Sequence, residues 1–230
     1  MVTAERFARG LTFDEYGAYA ATPENLAREA SPGGAGRRFS EFLRKAYEDV
    51  RLTDAQQAAW RWLVDQPGGP ARMLAISEEW SSDCRRDVPL AARVAATAGL
   101  ELRIFPRNGQ RFGATPEPDP AESPNADLMA QFLNRRGGQT FQSIPVIVFF
   151  ARDMTELYRY VELPSVYHKD RILGAVRAAR SGETPEQARE RGRRDFMAML
   201  ASPFFTVWRD AAHAEWLAML YERARVGSLA

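Results

Sequence analysis

The sequence predicts an α/β fold, in which a mixed β-sheet carries helices on both faces and further helices precede and follow it. Two observations predict this fold. Apolar runs suited to strands alternate with helical segments in the order β-α-β-α-β-β, and helical patterns dominate the chain before and after them. We therefore expect an N-terminal helical extension over residues 1–69, an α/β core over residues 70–164, and C-terminal helices over residues 165–230 that pack on the core.

The N-terminal extension contains two predicted helices. The first has an apolar stripe at helical spacing, formed by Phe39, Phe42, Leu43, Ala46, Tyr47 and Val50. The second begins at a capping box, because Thr53 and Gln56 have the spacing at which each side chain covers a free backbone N–H group. The Pro- and Gly-rich residues 67–70 end this helix, and residues 31–36 are expected to form a flexible joint.

The first half of the core has the pattern of a βαβ unit. Residues 73–76 form a short apolar run suited to a buried strand. Residues 83–98 are rich in alanine and predict a helix that ends at Gly99. Residues 100–105 alternate between apolar and polar side chains and predict a second strand.

The second half of the core combines a loop, a helix and a hairpin. Residues 106–124 include five prolines and are expected to form a long surface loop. A helix capped by Asn125 is predicted to continue through Leu133. Residues 146–150 and 157–161 predict two strands that pair as a hairpin.

The C-terminal part is again helical in its pattern. A helix is expected from about Ser165, and another over residues 186–200, after the cap Thr184 and Pro185 at the first helical position. An apolar stripe then follows at steps of three and four: Phe205, Trp208, Ala212, Trp216 and Met219. Such stripes are usually buried, so we expect this helix to pack on the core or on a second copy of the chain.

Composition excludes several classes of function. The net charge of +1 gives no general attraction to nucleic acids or to anionic membranes. The one cysteine, Cys84, excludes an internal disulfide, and the two histidines, His168 and His213, lack the spacing of a metal site. We predict no metal and no cofactor. The single cysteine and the charged start of the chain indicate a cytoplasmic protein.

Two distant segments carry the most specific pattern in the sequence. The first is Trp80-Ser81-Ser82-Asp83-Cys84, which we call the Trp motif, and the second is Ser143-Ile144-Pro145-Val146. Together they resemble the thioredoxin superfamily, and most closely its bacterial thioredoxin-like members with a Trp-Cys-x-Asp-Cys motif. Pro89 matches a proline in the family's first active-site helix, and Ile144-Pro145-Val146 matches its cis-proline turn. The resemblance extends over residues 73–161 and implies a thioredoxin-like fold.

The resemblance also implies which chemistry is lost. In the family, the first cysteine attacks a substrate disulfide and the second resolves the mixed disulfide. Here Ser81 stands at the attacking position, and a hydroxyl has no redox couple. Many thioredoxins have an acid six residues before the attacking position, and this position is Ala75 here. The catalytic candidates are thus reduced to Cys84 and Ser81. From the residues alone, Ser81 is more simply a helix cap and Cys84 a small buried residue.

Three interpretations of function follow from the resemblance. The preferred one is a protein without dithiol redox activity that binds a protein or peptide segment in a groove. This groove is formed by Trp80, Ser82, Asp83, Ile144 and Pro145. A second is a redox enzyme that works with one thiol, that of Cys84. A third is a glutathione-transferase-like enzyme that uses Ser81. No nucleic acid or membrane partner is predicted, and a homodimer is left open.

Overall fold

The computed structural model describes residues 1–30, 39–108, 116–165 and 178–226. The chain divides into two compact units, one of Met1–Glu162 with Trp216–Ala230 and the other of Leu163–Glu215. The helices are α1 (Ala4–Ala8), α2 (Phe13–Ala20), α3 (Pro23–Ala30), α4 (Phe39–Asp49), α5 (Asp54–Val64), α6 (Ser82–Ala98), α7 (Ala126–Met129), α8 (Pro185–Leu200) and α9 (Phe204–Val226). The strands are β1 (Arg72–Ser77), β2 (Glu101–Pro106), β3 (Asn134–Arg136), β4 (Gln139–Phe141), β5 (Val146–Phe150) and β6 (Glu156–Val161).

The first unit is built around a mixed four-stranded sheet with the strand order β2-β1-β5-β6. Strand β1 runs parallel to β2 and antiparallel to β5, and β5 and β6 form an antiparallel hairpin. Helix α6 connects the two parallel strands and ends at Gly99, which adopts the left-handed conformation with a φ of 72°. The predicted βαβ unit, the hairpin and the mixed α/β class are therefore confirmed.

The N-terminal helices belong to the same unit as the sheet. Helix α5 starts at Thr53, where both hydrogen bonds of the predicted capping box are present. Residues 10 and 11 extend along the outer edge of β2, where Leu11 and Ile104 exchange two backbone hydrogen bonds of 2.8 and 2.7 Å. Gly10 allows this close approach, because a Cβ atom there would lie 2.6 Å from the ring of Phe105. The predicted joint at residues 31–36 lies outside the described residues.

The predicted helix from Asn125 to Leu133 is wrong in its length. Helix α7 ends at Met129, and strand β3 follows from Asn134. The Asn125 side chain does not cap α7; it donates a hydrogen bond of 2.7 Å to the carbonyl of Pro106 and accepts one from Arg6. This side chain is thus engaged in tertiary contacts instead of a local cap. Of the predicted loop, residues 109–115 lie outside the described part.

The C-terminal helices follow the sequence pattern closely. Thr184 and Gln187 exchange the two hydrogen bonds of a capping box at the start of α8. Along α9, Trp208, Ala212 and Trp216 are buried, whereas Met219 is exposed. The helix predicted from about Ser165 falls largely on residues that the structure does not describe. None of the described helices combines the length and the apolar character needed to cross a membrane.

Candidate functional site

The Trp motif and Pro145 lie at the same end of the central strands. Strand β1 ends at Ser77, three residues before Trp80. Strand β5 begins at Val146, which pairs with Ile76 one residue before that end. The register of the sheet therefore brings the two segments together, although Cys84 at the end of the Trp motif and Pro145 are 61 positions apart in the sequence. The Ile144–Pro145 peptide bond is cis, as expected for this position.

Ser81 is the N-cap of α6. Its backbone is extended, with φ of −78° and ψ of 124°, and its hydroxyl oxygen accepts a hydrogen bond of 3.3 Å from the backbone N–H of Cys84. This arrangement is the normal function of a serine at the start of a helix. The interpretation of Ser81 as a helix cap is confirmed.

Cys84 is completely buried and does not form a disulfide. Burial raises the pKa of its thiol to about 12, because a thiolate would lose its hydration. Hydrogen bonds from Ser77 and Ser81 counteract this shift in part. At a pKa of about 12, only a very small fraction of the thiol is ionised at neutral pH, and the thiolate is the nucleophilic form.

A tyrosine from the N-terminal helices completes the surroundings of this thiol. Tyr16 on α2 is fully buried, and its hydroxyl lies 2.9 Å from the hydroxyl of Ser77. Burial raises the pKa of Tyr16 well above its ordinary value, so the phenol stays neutral. Sequence patterns did not identify Tyr16, because its partner lies 61 residues away and no motif links them.

A buried ionic network, which we call the Arg86 network, connects α6 to β6. The guanidinium of Arg86 donates two hydrogen bonds of 2.7 Å to the carboxylate of Asp87 and one of 3.1 Å to that of Asp83. It also donates to the carbonyl of Glu162 at 3.0 Å, while the Tyr160 hydroxyl donates to Asp87 at 2.8 Å. Burial raises the pKa of Asp87, and the ion pair with Arg86 offsets only part of that shift. The network fixes the carboxylate of Asp83 within the Trp motif.

A second polar cluster supports Trp80. The Arg107 guanidinium lies over the Trp80 ring, with 5.3 Å between its carbon and the ring centroid, and donates to the Asn108 side chain at 2.9 Å. The Asn108 backbone N–H donates to the buried carboxylate of Glu78 at 2.5 Å. Burial lowers the pKa of Arg107, although the nearby carboxylate of Glu78 favours its charge. One face of the indole is thus held by a fixed cation.

The predicted groove residues differ in their exposure. Trp80 and Ser82 are half-buried, whereas Asp83, Ile144 and Pro145 are buried. A ligand from solution would therefore meet Trp80 and Ser82 before the other residues.

Within the described residues, no cluster of three or more histidine, cysteine or acidic side chains could hold a metal ion. His213 is also buried, which lowers its pKa to about 4, and it belongs to the second compact unit.

Comparisons with known proteins bear on the fold. No family model matches the chain, and no curated protein sequence matches it. The chain is similar to an HIV epitope-scaffold, with 16% identity and a TM-score of 0.52 over 96% of this chain and 99% of that one. A protein of unknown function from Pseudomonas aeruginosa gives 18% identity and a TM-score of 0.47 over 86% of this chain and 99% of that one. The first likeness shows a shared fold.

Proposed function

We propose that this chain is a thioredoxin-like protein without dithiol redox activity, and that it binds a protein segment at the surface around Trp80 and Ser82. The assignment is supported by the strand order and directions of the sheet together with the place of the Trp motif between β1 and α6. It is further supported by the place of Pro145 directly before the strand that pairs with β1.

The observation that carries the loss of redox activity is the hydrogen bond between Ser81 and the Cys84 backbone. In the family's cycle, a thiolate at the position of Ser81 attacks a disulfide. Here a serine caps the helix at that position, and the one thiol of the chain is fully buried with a pKa of about 12. A redox enzyme that relies on Cys84 alone would need a thiol that is accessible to the substrate and ionised. The burial of Cys84 opposes the first condition, and its raised pKa opposes the second. A glutathione-transferase-like role would need an exposed serine, and Ser81 is 8% exposed.

The observation that supports binding is the partial exposure of the Trp80 side chain and its fixed position. The indole is half-buried and held against Arg107, so little side-chain entropy would be lost when a partner contacts it. Tryptophan side chains in such positions often contribute a large share of the free energy of protein association. Ser82 beside it provides a hydroxyl that can pair with the backbone of an extended segment.

Reductase assays test the redox part of the proposal. Wild-type protein should not accelerate the reduction of insulin by dithiothreitol, and Cys84 should react with a thiol reagent only after denaturation. The variant Ser81→Cys should form a disulfide with Cys84 on oxidation, because the two positions are joined by a direct contact. If the wild type reduces insulin and Cys84→Ala abolishes that activity, the one-thiol alternative is correct and the proposal is wrong.

A peptide array tests the binding part. Wild-type protein should bind a subset of extended peptides, and Trp80→Ala should weaken that binding by about 1–3 kcal/mol, which is a factor of about 5–150 in Kd. Phe204→Ala is the matched control, because it removes an aromatic side chain that is 53% exposed and lies outside the motif. Equal losses in both variants, or peptides that bind unfolded protein equally well, would exclude the motif surface as the binding site.

A further inference from the structure

An apolar groove lies between α5 and the last part of α9, both within the first compact unit. Its volume is about 390 Å³, and its lining is almost entirely apolar: Ala59, Trp62, Leu63, Leu217, Ala218 and Tyr221. The rings of Trp62 and Tyr221 pack against each other with centroids 5.5 Å apart. Even so, these two side chains remain 42% and 48% exposed. Two large aromatic side chains at the rim of an apolar groove are typical of an interaction surface.

The orientation of α5 places this groove beside a charged flank. Successive residues of an α-helix are about 100° apart, so Ala59 and Leu63 lie on one side of Trp62. Arg61 and Asp65 lie on the other side, and both are exposed. In the part of the chain that the structure describes, neither of these two side chains forms an ion pair. Arginine four residues before aspartate is also the less favourable order for pairing within one helix.

We propose that this surface binds a second copy of the chain, with two α5 helices antiparallel across a two-fold axis near Trp62. Such an axis brings the same patch of both copies together, so the patch must be complementary to itself. The surface formed by α5 and the end of α9 meets this condition. The apolar flank with Trp62 faces the same flank of the second copy. In the charged flank, Arg61 of each copy faces Asp65 of the other.

The charge pattern is the argument that favours a second copy over an unrelated partner. A two-fold axis that passes between residues 61 and 65 places residue 61 of each copy opposite residue 65 of the other. The dimer therefore forms two identical Arg61–Asp65 ion pairs, both on the same side of the two tryptophans. An unrelated partner would need to supply a carboxylate and a guanidinium at the same spacing. The groove is lined by only six residues, against roughly 20–30 on each side of a standard interface, so we expect association only in the micromolar range or weaker.

Sedimentation velocity of the full chain, measured over protein concentrations from about 1 to 300 µM, provides the test. Wild-type protein should shift from monomer to dimer within this range. Trp62→Lys should remain monomeric throughout it, whereas Phe204→Lys, the same change at another exposed aromatic, should behave as wild type. Circular dichroism of each variant verifies that it is folded.

A charge exchange separates the proposed pairing from any other dimer. Arg61→Asp alone places two carboxylates opposite each other, and Asp65→Arg alone places two guanidiniums opposite each other, so each variant should stay monomeric. An equimolar mixture of these two variants should form a heterodimer, because the opposing charges are complementary again. Wild-type protein that stays monomeric at every concentration would overturn the proposal. So would a mixture that fails to associate while wild type forms dimers.

Discussion

Replacing Arg86 with methionine tests the strongest structural claim about α6, that one buried cation holds this helix against β6. The side chain of Arg86 is fully buried and donates to two carboxylates and one carbonyl. Methionine fills a similar volume without charge, so the change removes the cation and creates only a small cavity. Among the described residues, the Asp87 carboxylate would then keep one hydrogen bond, the 2.8 Å bond donated by the Tyr160 hydroxyl.

The expected magnitude follows from the carboxylate that is left behind. Removing one partner of a buried ion pair typically costs about 3–5 kcal/mol, because the remaining charge has neither water nor a counter-ion. Asp87 is fully buried, so we expect the free energy of unfolding to fall by about that amount at pH 7. Such a loss is a large fraction of the stability of an ordinary domain.

The loss should depend on pH in a defined direction. Burial already raises the pKa of Asp87 in the wild type, and removal of Arg86 raises it further. A carboxyl whose folded pKa exceeds its unfolded value of about 3.9 destabilises the protein increasingly as the pH rises above the unfolded value. Near pH 4 the folded variant holds the proton on Asp87 and the unfolded chain holds it about half of the time, so little of the penalty is present. The destabilisation should therefore be smaller near pH 4 than at pH 7.

Urea unfolding at both pH values, followed by circular dichroism, measures the effect. Arg9→Met is the control, because Arg9 pairs with Glu5 at the surface and its loss should change stability little. The double variant Arg86→Met with Asp87→Leu should recover most of the stability lost through Asp87, since it removes both members of that ion pair. A loss below about 1 kcal/mol, or one that is the same at both pH values, would refute the account of the Arg86 network.

Three further predictions concern the Trp motif and the N-terminal segment. Ser81→Ala should lower the free energy of unfolding by about 1 kcal/mol through loss of the helix cap, as measured by urea unfolding, while Ser81→Asp should retain most of the stability. Tyr16→Phe should lower the free energy of unfolding by about 1 kcal/mol, because it removes the contact with the Ser77 hydroxyl. It should also increase the rate at which a thiol reagent labels Cys84 in the native state. An unchanged labelling rate would contradict the role of Tyr16 in enclosing the thiol. Gly10→Ala should destabilise by about 1–3 kcal/mol, because the added methyl group would overlap the Phe105 ring, and a melting temperature equal to that of wild type would show that this ring can move aside.

Local patterns predicted much of the fold. The strands β1, β2, β5 and β6 and helix α6 were visible because their periodicity and their end signals depend only on neighbouring residues. The predicted capping box at Thr53 and the predicted cap at Thr184 are local for the same reason. Asn125 misled the prediction, since an asparagine before an apolar segment is a typical cap, but its amide is used in contacts with Pro106 and Arg6.

The candidate site was predictable only in its central motif. Ser81 and Cys84 stand out because the motif is short and the residue types are unusual for it. The Arg86 network was not predicted, since Arg86 and Asp87 on a helix suggest a solvated surface, and only the approach of β6 with Tyr160 buries them. Tyr16 was missed because its partner comes from a different part of the chain. Contacts over long sequence separations leave no periodic signal in a single sequence.

The pairing of Leu11 with Ile104 has a consequence for how this chain avoids association through its sheet. Strand β2 is at the outer end of the strand order, and an open edge offers unpaired N–H and C=O groups to any extended chain. Here the residues beside Gly10 occupy part of that edge. The N-terminal segment therefore covers part of the β2 edge and hinders intermolecular strand pairing there. A protein truncated at Pro70, where the sequence suggests a boundary, would lose this cover together with Tyr16.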